Sequence, residues 1–333
     1  EIKKVIPALL CGCTVVVKPA PETPFSAALL AEICTEAGVP PGVINVVFGA
    51  AQTGEALVSH RAVRKIAFTG SSAAGARIAA LASSSFKRLQ LELGGKSAAI
   101  LLDDVDLDAA MPLLTASAWS NAGQACSSLT RVLVPRSRYD EVIDAFATAA
   151  RRQCVGDPMD SKTTIGPLVS ERQHRRVLQY IDLGRTEGAR LIMGGGRPEA
   201  LPRGYYVAPT AFADVRNDMQ IAQEEIFGPV TCLIPYDSEA EAVAIANDSA
   251  YGLHGGVFGR DEERALALVR QIDTGSAVVN MYFMPSSAPF GGVKASGMGR
   301  EHGPEGFDSF LEYVSYNVRA EFAAKLASRY PAG

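Results

Sequence analysis

Short β-branched runs alternate along the chain with longer stretches that are apolar at helical spacing. Thr14-Val-Val-Val-Lys18 is followed by Phe25 to Ala37, apolar three and four positions apart, and then by the run Val43-Ile-Asn-Val-Val-Phe48. Gly38 ahead of Pro40-Pro41 stops the intervening helix. Strand, helix, strand in that order predicts a β-α-β unit, the building block of a parallel sheet. The unit recurs with a helix from Thr53 to Ser59, a strand at Lys65 to Thr69, a helix opened by Gly70-Ser-Ser-Ala-Ala-Gly75 and a strand at Arg88 to Leu93. These units read as the nucleotide-binding half of an α/β fold whose first strands are missing.

The pattern restarts at Lys96. Ser97 to Leu102 reads as a strand, the acidic stretch Asp103 to Asp108 starts a helix reaching Asn121, and Arg131 to Val134 reads as the next strand. Helices follow at Ser137 to Arg152 and from Ile165-Gly-Pro-Leu-Val-Ser170 through Gly188; the later helices are Glu239 to Asp248 and Glu262 to Ile272. Strands are expected at Tyr206 to Ala208, Val230 to Pro235 and Ala277 to Asn280, and a last strand-like stretch at Leu311 to Val318. The expected fold is therefore α/β, a Rossmann-like open parallel sheet incomplete at its N-terminus plus a second α/β domain.

Composition narrows the function classes. A chain of 333 residues, 47% apolar and 20% charged, is sized for about two domains. Its net charge of −4 offers no clustered cation surface for nucleic acid. No apolar run approaches the roughly 18 residues of a membrane span. Six cysteines without paired zinc spacing and four isolated histidines suggest reduced thiols, a cytoplasmic setting and no metal site. The opening Glu1-Ile-Lys-Lys-Val-Ile-Pro7 reads like the interior of a domain.

Five stretches can carry chemistry. Gly70-Ser71-Ser72-Ala-Ala-Gly75 puts small residues between a strand and a helix start, either an ordinary tight turn or a pyrophosphate cradle, without the G-x-G-x-x-G spacing. Lys18 closes the first strand, where a solvated ammonium and a ribose or phosphate ligand are both possible. Glu92, in Leu91-Glu-Leu-Gly-Gly95, is a solvent-facing strand carboxylate or a general base beside a flexible Gly-Gly bend, able to swing. Cys126 ends Asn121-Ala-Gly-Gln-Ala-Cys126, a polar turn that suits a thiol reaching substrate better than the core position usual for cysteine. Glu224-Glu-Ile-Phe-Gly-Pro229 is a helix-to-strand junction, or a source of a carboxylate for a ribose and a ring for a nicotinamide.

Taken in order, Val17-Lys18-Pro19 with Thr23-Pro24, Phe68-Thr-Gly-Ser71 with Gly75, Leu91-Glu-Leu-Gly-Gly-Lys96 and Gly123-Gln-Ala-Cys126 resemble the aldehyde dehydrogenase superfamily. Glu224 to Pro229, Asn280 and Pro289 to Glu301 extend the resemblance over essentially the whole chain, with Glu92 placed 34 residues before Cys126. The resemblance implies oxidation of a small-molecule aldehyde to an acid with NAD, or NADP, through a thiohemiacetal and thioester on Cys126. Glu92 would deprotonate the hydrolytic water, with Lys96 near that pair and Glu301 relaying protons. Lys18 would meet the adenosine ribose, Ser71 the pyrophosphate and Glu225 the nicotinamide ribose, with Phe227 beside the nicotinamide ring. Phe68, Gly70, Gly75, Leu93 and Gly94 complete the implied cofactor site. Ser120, Ser127, Phe283 and the stretch Met281 to Ser287 would line the aldehyde channel, and Trp119 would be channel or core.

Where the family pattern has an acid three residues after its lysine, this chain has Pro21, and the acid comes one later as Glu22. The resemblance also places an oxyanion asparagine, the first cofactor strands and an oligomerisation hairpin before Glu1, so the family's N-terminal part is expected to be absent. The implied division is 1–94 as cofactor domain, 95–295 as thiol domain, 296–310 as a glycine-rich return, 311–320 as an oligomerisation strand and 321–333 as a tail. A homodimer or homotetramer without nucleic-acid or membrane partners is expected. Two other readings compete: a CoA-acylating aldehyde dehydrogenase, which would not need the base Glu92, and a catalytically silent or truncated relative.

Overall fold

The computed structural model describes residues 1–329, so residues 330–333 of the expected tail lie outside the described residues. The chain begins with α1 (Ile2–Leu10), β1 (Val15–Val17), α2 (Phe25–Glu36), β2 (Ile44–Val46), α3 (Ala51–Ser59), β3 (Lys65–Thr69), α4 (Ser72–Ser83) and β4 (Arg88–Glu92). It continues through β5 (Ser97–Leu101), α5 (Leu107–Trp119), β6 (Leu129–Pro135), α6 (Tyr139–Arg151), α7 (Glu171–Thr186), β7 (Arg190–Met193), β8 (Thr210–Ala213), α8 (Gln220–Gln223) and β9 (Val230–Tyr236). Then come α9 (Glu239–Asn247), β10 (Tyr251–Gly252), β11 (His254–Phe258), α10 (Glu262–Val269), β12 (Ser276–Val279), β13 (Val293–Lys294), β14 (Gly297–Met298), α11 (Glu305–Asp308) and α12 (Ala320–Arg329).

The β-α-β units form parallel pairs, β1 with β2 and β3 with β4, and β14 joins β4 antiparallel. The second half is a seven-stranded sheet in the order β12-β11-β5-β6-β9-β8-β7. All its pairings are parallel except that of the edge strand β7 with β8. Every residue of β5 is buried, as expected of a central parallel strand covered on both faces. Successive side chains alternate between the two layers. Ala99 and Leu101 join Leu114, Trp119, Phe146, Ile181 and Phe212 on one face. Ala98 and Ile100 join Leu133, Tyr236, Val257 and Ala265 on the other.

Helix starts follow local chemistry. Asp106 accepts hydrogen bonds from the backbone N–H of Asp108 and Ala109 at the head of α5, and Ser170 does the same for Gln173 on α7.

Three expectations are corrected. The expectation of an incomplete beginning is corrected for the first residues described: Ile2–Leu10 form an intact helix that buries Val5 and Ala8, and Lys4 on that helix pairs with Glu301. The strand expected at Tyr206 to Ala208 lies instead at Thr210–Ala213, after Pro209, whose lack of an N–H keeps it out of a central ladder; β7 was not foreseen. Leu311 to Val318 takes no regular structure and exposes Tyr313 and Tyr316, since no strand among the described residues pairs with it.

Because Ile100 is fully buried between the sheet and α9/α10, Ile100→Ala should cost roughly 2–5 kcal/mol. Urea unfolding of the two proteins measures the difference; a loss under about 0.5 kcal/mol, the surface range, would contradict this packing.

Candidate active site

Glu92 is the last residue of β4, and residues 93–96 carry the chain into β5. Cys126 stands three positions ahead of β6. Its approach is sharply bent: Asn121, Ala122 and Gly123 all have left-handed backbone, with φ of 53°, 54° and 70°. The bend is held by Asn121 Nδ2 donating to Gln124 O at 3.0 Å and Gln124 Nε2 returning to Asn121 O at 3.1 Å. Gln124 Oε1 also accepts from Val169 N at 3.0 Å. The sequence-predicted polar turn is thus a braced loop.

Glycines at this loop answer to close approach. A Cβ on Gly95 would stand 2.5 Å from the Cys126 carbonyl oxygen, and one on Gly123 would stand 2.2 Å from the Gly228 carbonyl. Backbone meets backbone at both points. The Gly95 N–H donates to Glu225 Oε1 at 3.0 Å, which joins the segment after α8 to the same corner. Gly95, Lys96, Gly123, Ser128, Glu225 and Phe227 line a narrow recess beside the Cys126 loop.

The site is electrostatically tense. Glu92 is 3% exposed, and neither carboxylate oxygen has a hydrogen-bond partner in the protein. Burial pushes its pKa up to about 8, assisted by the Glu301 carboxylate and opposed by Lys4, Arg300 and Lys3. Burial likewise raises the Cys126 thiol, with Glu225 and then Glu92 adding to it. The thiol therefore holds its proton more tightly than an ordinary cysteine does. Burial raises Glu225, against the Gly95 N–H and the Lys96 ammonium, and lowers Lys96, which is 2% exposed.

Lys4 was missed by sequence reasoning. Its pairing with Glu301 joins the first helix to the stretch from Pro289 to Glu301, whose Phe290 and Glu301 bridge antiparallel. A lysine within Glu1 to Pro7 carries no local signal of such a partner. Ser128, whose buried hydroxyl has no partner in the protein, was also not singled out.

On the cofactor side, Ser71 caps α4 by accepting from Ala74 N at 3.3 Å, and Gly70 and Ser71 are exposed at that helix start. The Phe68 ring lies against Gly70, and Gly75 packs on Leu93, whose methyl groups stand 2.6 Å from where a Cβ would be. Lys18 Nζ donates to Pro19 O at 2.6 Å and Gly49 O at 3.2 Å, and Glu22 faces Arg172 at 3.6 Å. An exposed helix N-terminus, a strand-end ammonium and a carboxylate beside the thiol loop fit the phosphates and riboses of a nicotinamide dinucleotide.

The channel residues divide. Trp119 belongs to the core: it is 1% exposed, stacks edge-on against Phe146 and donates its indole N–H to Thr231 Oγ1 at 3.2 Å. Ser120 is exposed, Ser127 half-buried, and Phe283 is exposed with its ring 4.0 Å from that of Tyr282.

A parallel-sheet α/β protein with a buried carboxylate, a thiol on a strained loop and a helix N-terminus suited to phosphate defines a thiol-dependent, dinucleotide-binding class. Residues 2–316 match the aldehyde dehydrogenase family, and the chain belongs to that family. The match begins at Ile2 and includes α1, so residues 2–10 are an intact part of the family fold, against the expectation of an incomplete structure there. The chain is similar to a geranial dehydrogenase of Castellaniella defragrans, 51% identical over 95% of this chain and 66% of that protein. It is also similar to a 3-succinoylsemialdehyde-pyridine dehydrogenase of a Pseudomonas species, 49% identical over 93% and 65%. Among solved structures, a Mycobacterium tuberculosis aldehyde dehydrogenase complexed with NAD+ is 51% identical with a TM-score of 0.92, covering 95% of this chain and 67% of that one. A cysteine-to-alanine mutant of Pseudomonas syringae aldehyde dehydrogenase C, complexed with NAD+ and octanal, is 46% identical with a TM-score of 0.91, over 93% and 64%. The chain spans about 65% of the length of the curated relatives it matches.

Two outcomes follow from the corner geometry. Gly95→Ala should lower stability by roughly 1–3 kcal/mol or more, because a methyl group meets a carbonyl that cannot turn aside; an unchanged melting temperature would contradict the contact. Glu92→Gln tests the buried acid. Folded Glu92 keeps its proton to about pH 8, whereas the unfolded chain loses it near 4.5, so its stabilising contribution is full below 4.5 and lost as pH rises through 8. Wild type should thus lose stability relative to the Gln variant across that window, by up to about 1.4 kcal/mol per pH unit; parallel profiles from pH-dependent urea unfolding would show that the acid is not shifted.

Proposed function

We propose that this protein oxidises an aldehyde to the carboxylic acid with NAD as hydride acceptor and releases the free acid. The observation that carries the reading is the buried Glu92 carboxyl without a partner, next to Glu301 and within electrostatic reach of the Cys126 thiol. Glu92, Cys126, Lys96 and Glu301 are read as the reacting and supporting groups. Lys18, Ser71 and Glu225 are read as holding the dinucleotide, with Phe227 beside its nicotinamide. Bound there, the nicotinamide supplies the hydride acceptor.

The residues act in sequence. A carboxylate neighbour takes the Cys126 proton, and the sulfur adds to the aldehyde carbon to give a thiohemiacetal. Loss of hydride from that carbon leaves a thioester on Cys126. Water then attacks the thioester carbon while Glu92 takes its proton; the carbon–sulfur bond breaks and the acid leaves. The Lys4–Glu301 pair next to Glu92 offers a path for the proton outward.

A raised pKa suits Glu92 to this work, since a base poised near the working pH both exists in its free form and accepts a proton effectively. A base for water favours hydrolysis over transfer of the acyl group to CoA. The proposed division is a cofactor unit over 1–94, a thiol unit over 95–295, the return at 296–310, an association segment at 311–320 and a tail beyond. Exposed Tyr313, Val314 and Tyr316 support self-association through that segment, as a homodimer or homotetramer. No helix among the described residues is long and apolar enough to cross a membrane, and a cytoplasmic location is part of the proposal.

Cys126→Ala should abolish both NADH formation and labelling of the site by a thiol reagent; NADH formation at the wild-type rate would overturn the assignment. With Glu92→Gln, a first-turnover burst of NADH should persist while acid release slows by about 100-fold or more. In wild type, acid release should rise with pH toward a midpoint near 8. Normal acid release by the Gln variant would remove Glu92 from its proposed role, and faster NADH formation only when CoA is added would favour acyl transfer.

A further inference from the structure

Helix α7 holds the segment that carries Glu225 by one stripe of side chains. Gln173 Nε2 donates to Ile226 O at 3.0 Å and Phe227 O at 2.8 Å, so both amide hydrogens are used. One turn on, Arg176 Nη2 donates to Glu225 O at 2.7 Å, and a further turn on the Tyr180 hydroxyl bonds the Glu224 carboxylate. Spacings of three and four place these side chains on one helix face. Gly228 then packs on Val177, whose Cγ2 stands 2.4 Å from where a Cβ would be.

Within the segment, Phe227 has φ of +59°, a left-handed conformation that bulky side chains rarely take. Such a conformation persists only where the surroundings over-determine it. Gln173 is placed to do this, because its amide holds the carbonyls of the two peptide units that flank Phe227. Arg176 fixes the carbonyl before them and does not duplicate the clamp. The same segment aims Glu225 at the Gly95 N–H.

We propose that Gln173 is a positioning residue for the oxidation: by clamping Ile226 and Phe227 it keeps Phe227 left-handed and the Glu225 carboxylate on Gly95. The role rests on the reading of the site given above. It acts through the backbone, and it needs a double donor. A carboxylate at 173 would set its lone pairs against two carbonyl oxygens, and a thioether of similar length would offer no donor at all.

Hydrogen exchange at the Gly95 amide, read by NMR on the cofactor-free protein, tests the clamp in Gln173→Glu and Gln173→Met. Two lost hydrogen bonds predict exchange faster by roughly tenfold to thirtyfold at Gly95. Amides of β5 and β6 should keep their rates, and the kcat of NADH formation should fall by a similar factor at little-changed KM for the aldehyde. Unchanged Gly95 exchange in both variants overturns the proposal. So does an equal acceleration throughout β5 and β6 in both, which would make Gln173 a general structural contact. If wild type forms no NADH from any aldehyde, the oxidation reading fails, while the Gly95 exchange still decides whether the clamp exists.

Discussion

Three backbone segments meet at the start of the seven-stranded sheet with no room for a side chain between them. Gly95 faces the Cys126 carbonyl and Gly123 faces that of Gly228, both at distances only an absent Cβ permits. The positions of Glu92, Lys96, Cys126 and Glu225 all derive from this corner, since each lies within three residues of one of these contacts. The contact also changes the meaning of the Gly94-Gly95 pair. Read alone, two glycines suggest a bend on which Glu92 swings; in the fold, Gly95 is wedged against the Cys126 carbonyl and its N–H is tied to Glu225. Any movement of the Glu92 carboxyl must then come from its own side-chain torsions.

The same closeness sets the electrostatics. Drawing a thiol and two carboxyls out of water penalises their charged forms, and burial is the largest cause of the upward shift for Glu92, Cys126 and Glu225 alike. Lys4, Arg300 and Lys3 pull Glu92 the other way without cancelling that penalty. Two of these cations come from α1, so the first helix is electrically part of the site as well as structurally part of the fold. The resting corner holds protons on its acid and its thiol. A proton can leave the thiol for Glu92 only in molecules whose Glu92 has already lost its own, a population that grows as pH rises toward 8.

Much of this was legible in the chain because it is written in local pattern. The β-α-β order follows from apolar spacing and from stops such as Gly38 before Pro40-Pro41. The polar turn before Cys126 and the carboxylate at the end of β4 follow from short runs with recognisable chemistry. Long-range partnership was not legible: Lys4 meets Glu301 across almost the whole chain, and nothing in either neighbourhood announces it. Trp119 shows the same limit, since an indole beside a polar turn can face a channel or the core, and Thr231 and Phe146 decide for the core. Leu311 to Val318 has the alternation of a strand, but a strand is a pairing, and no partner for it lies among the described residues.

Open parallel sheets ordinarily bind ligands beyond the carboxyl ends of their strands, and the first half of this fold does so: Lys18 follows β1, Gly70 and Ser71 follow β3, and Glu92 ends β4. The second half reverses the rule. Lys96 precedes β5, Cys126 precedes β6 and Phe227 precedes β9, so its groups gather at the amino ends. The connection from β4 to β5 explains the reversal. Only residues 93–96 separate the two strands, too few for a crossover that would bring the chain back alongside. The chain leaves one sheet at its carboxyl edge and must enter the next at its amino edge, and the two edges share one seam. A ligand laid along the carboxyl edge of the first sheet therefore ends at the amino edge of the second, where the thiol stands.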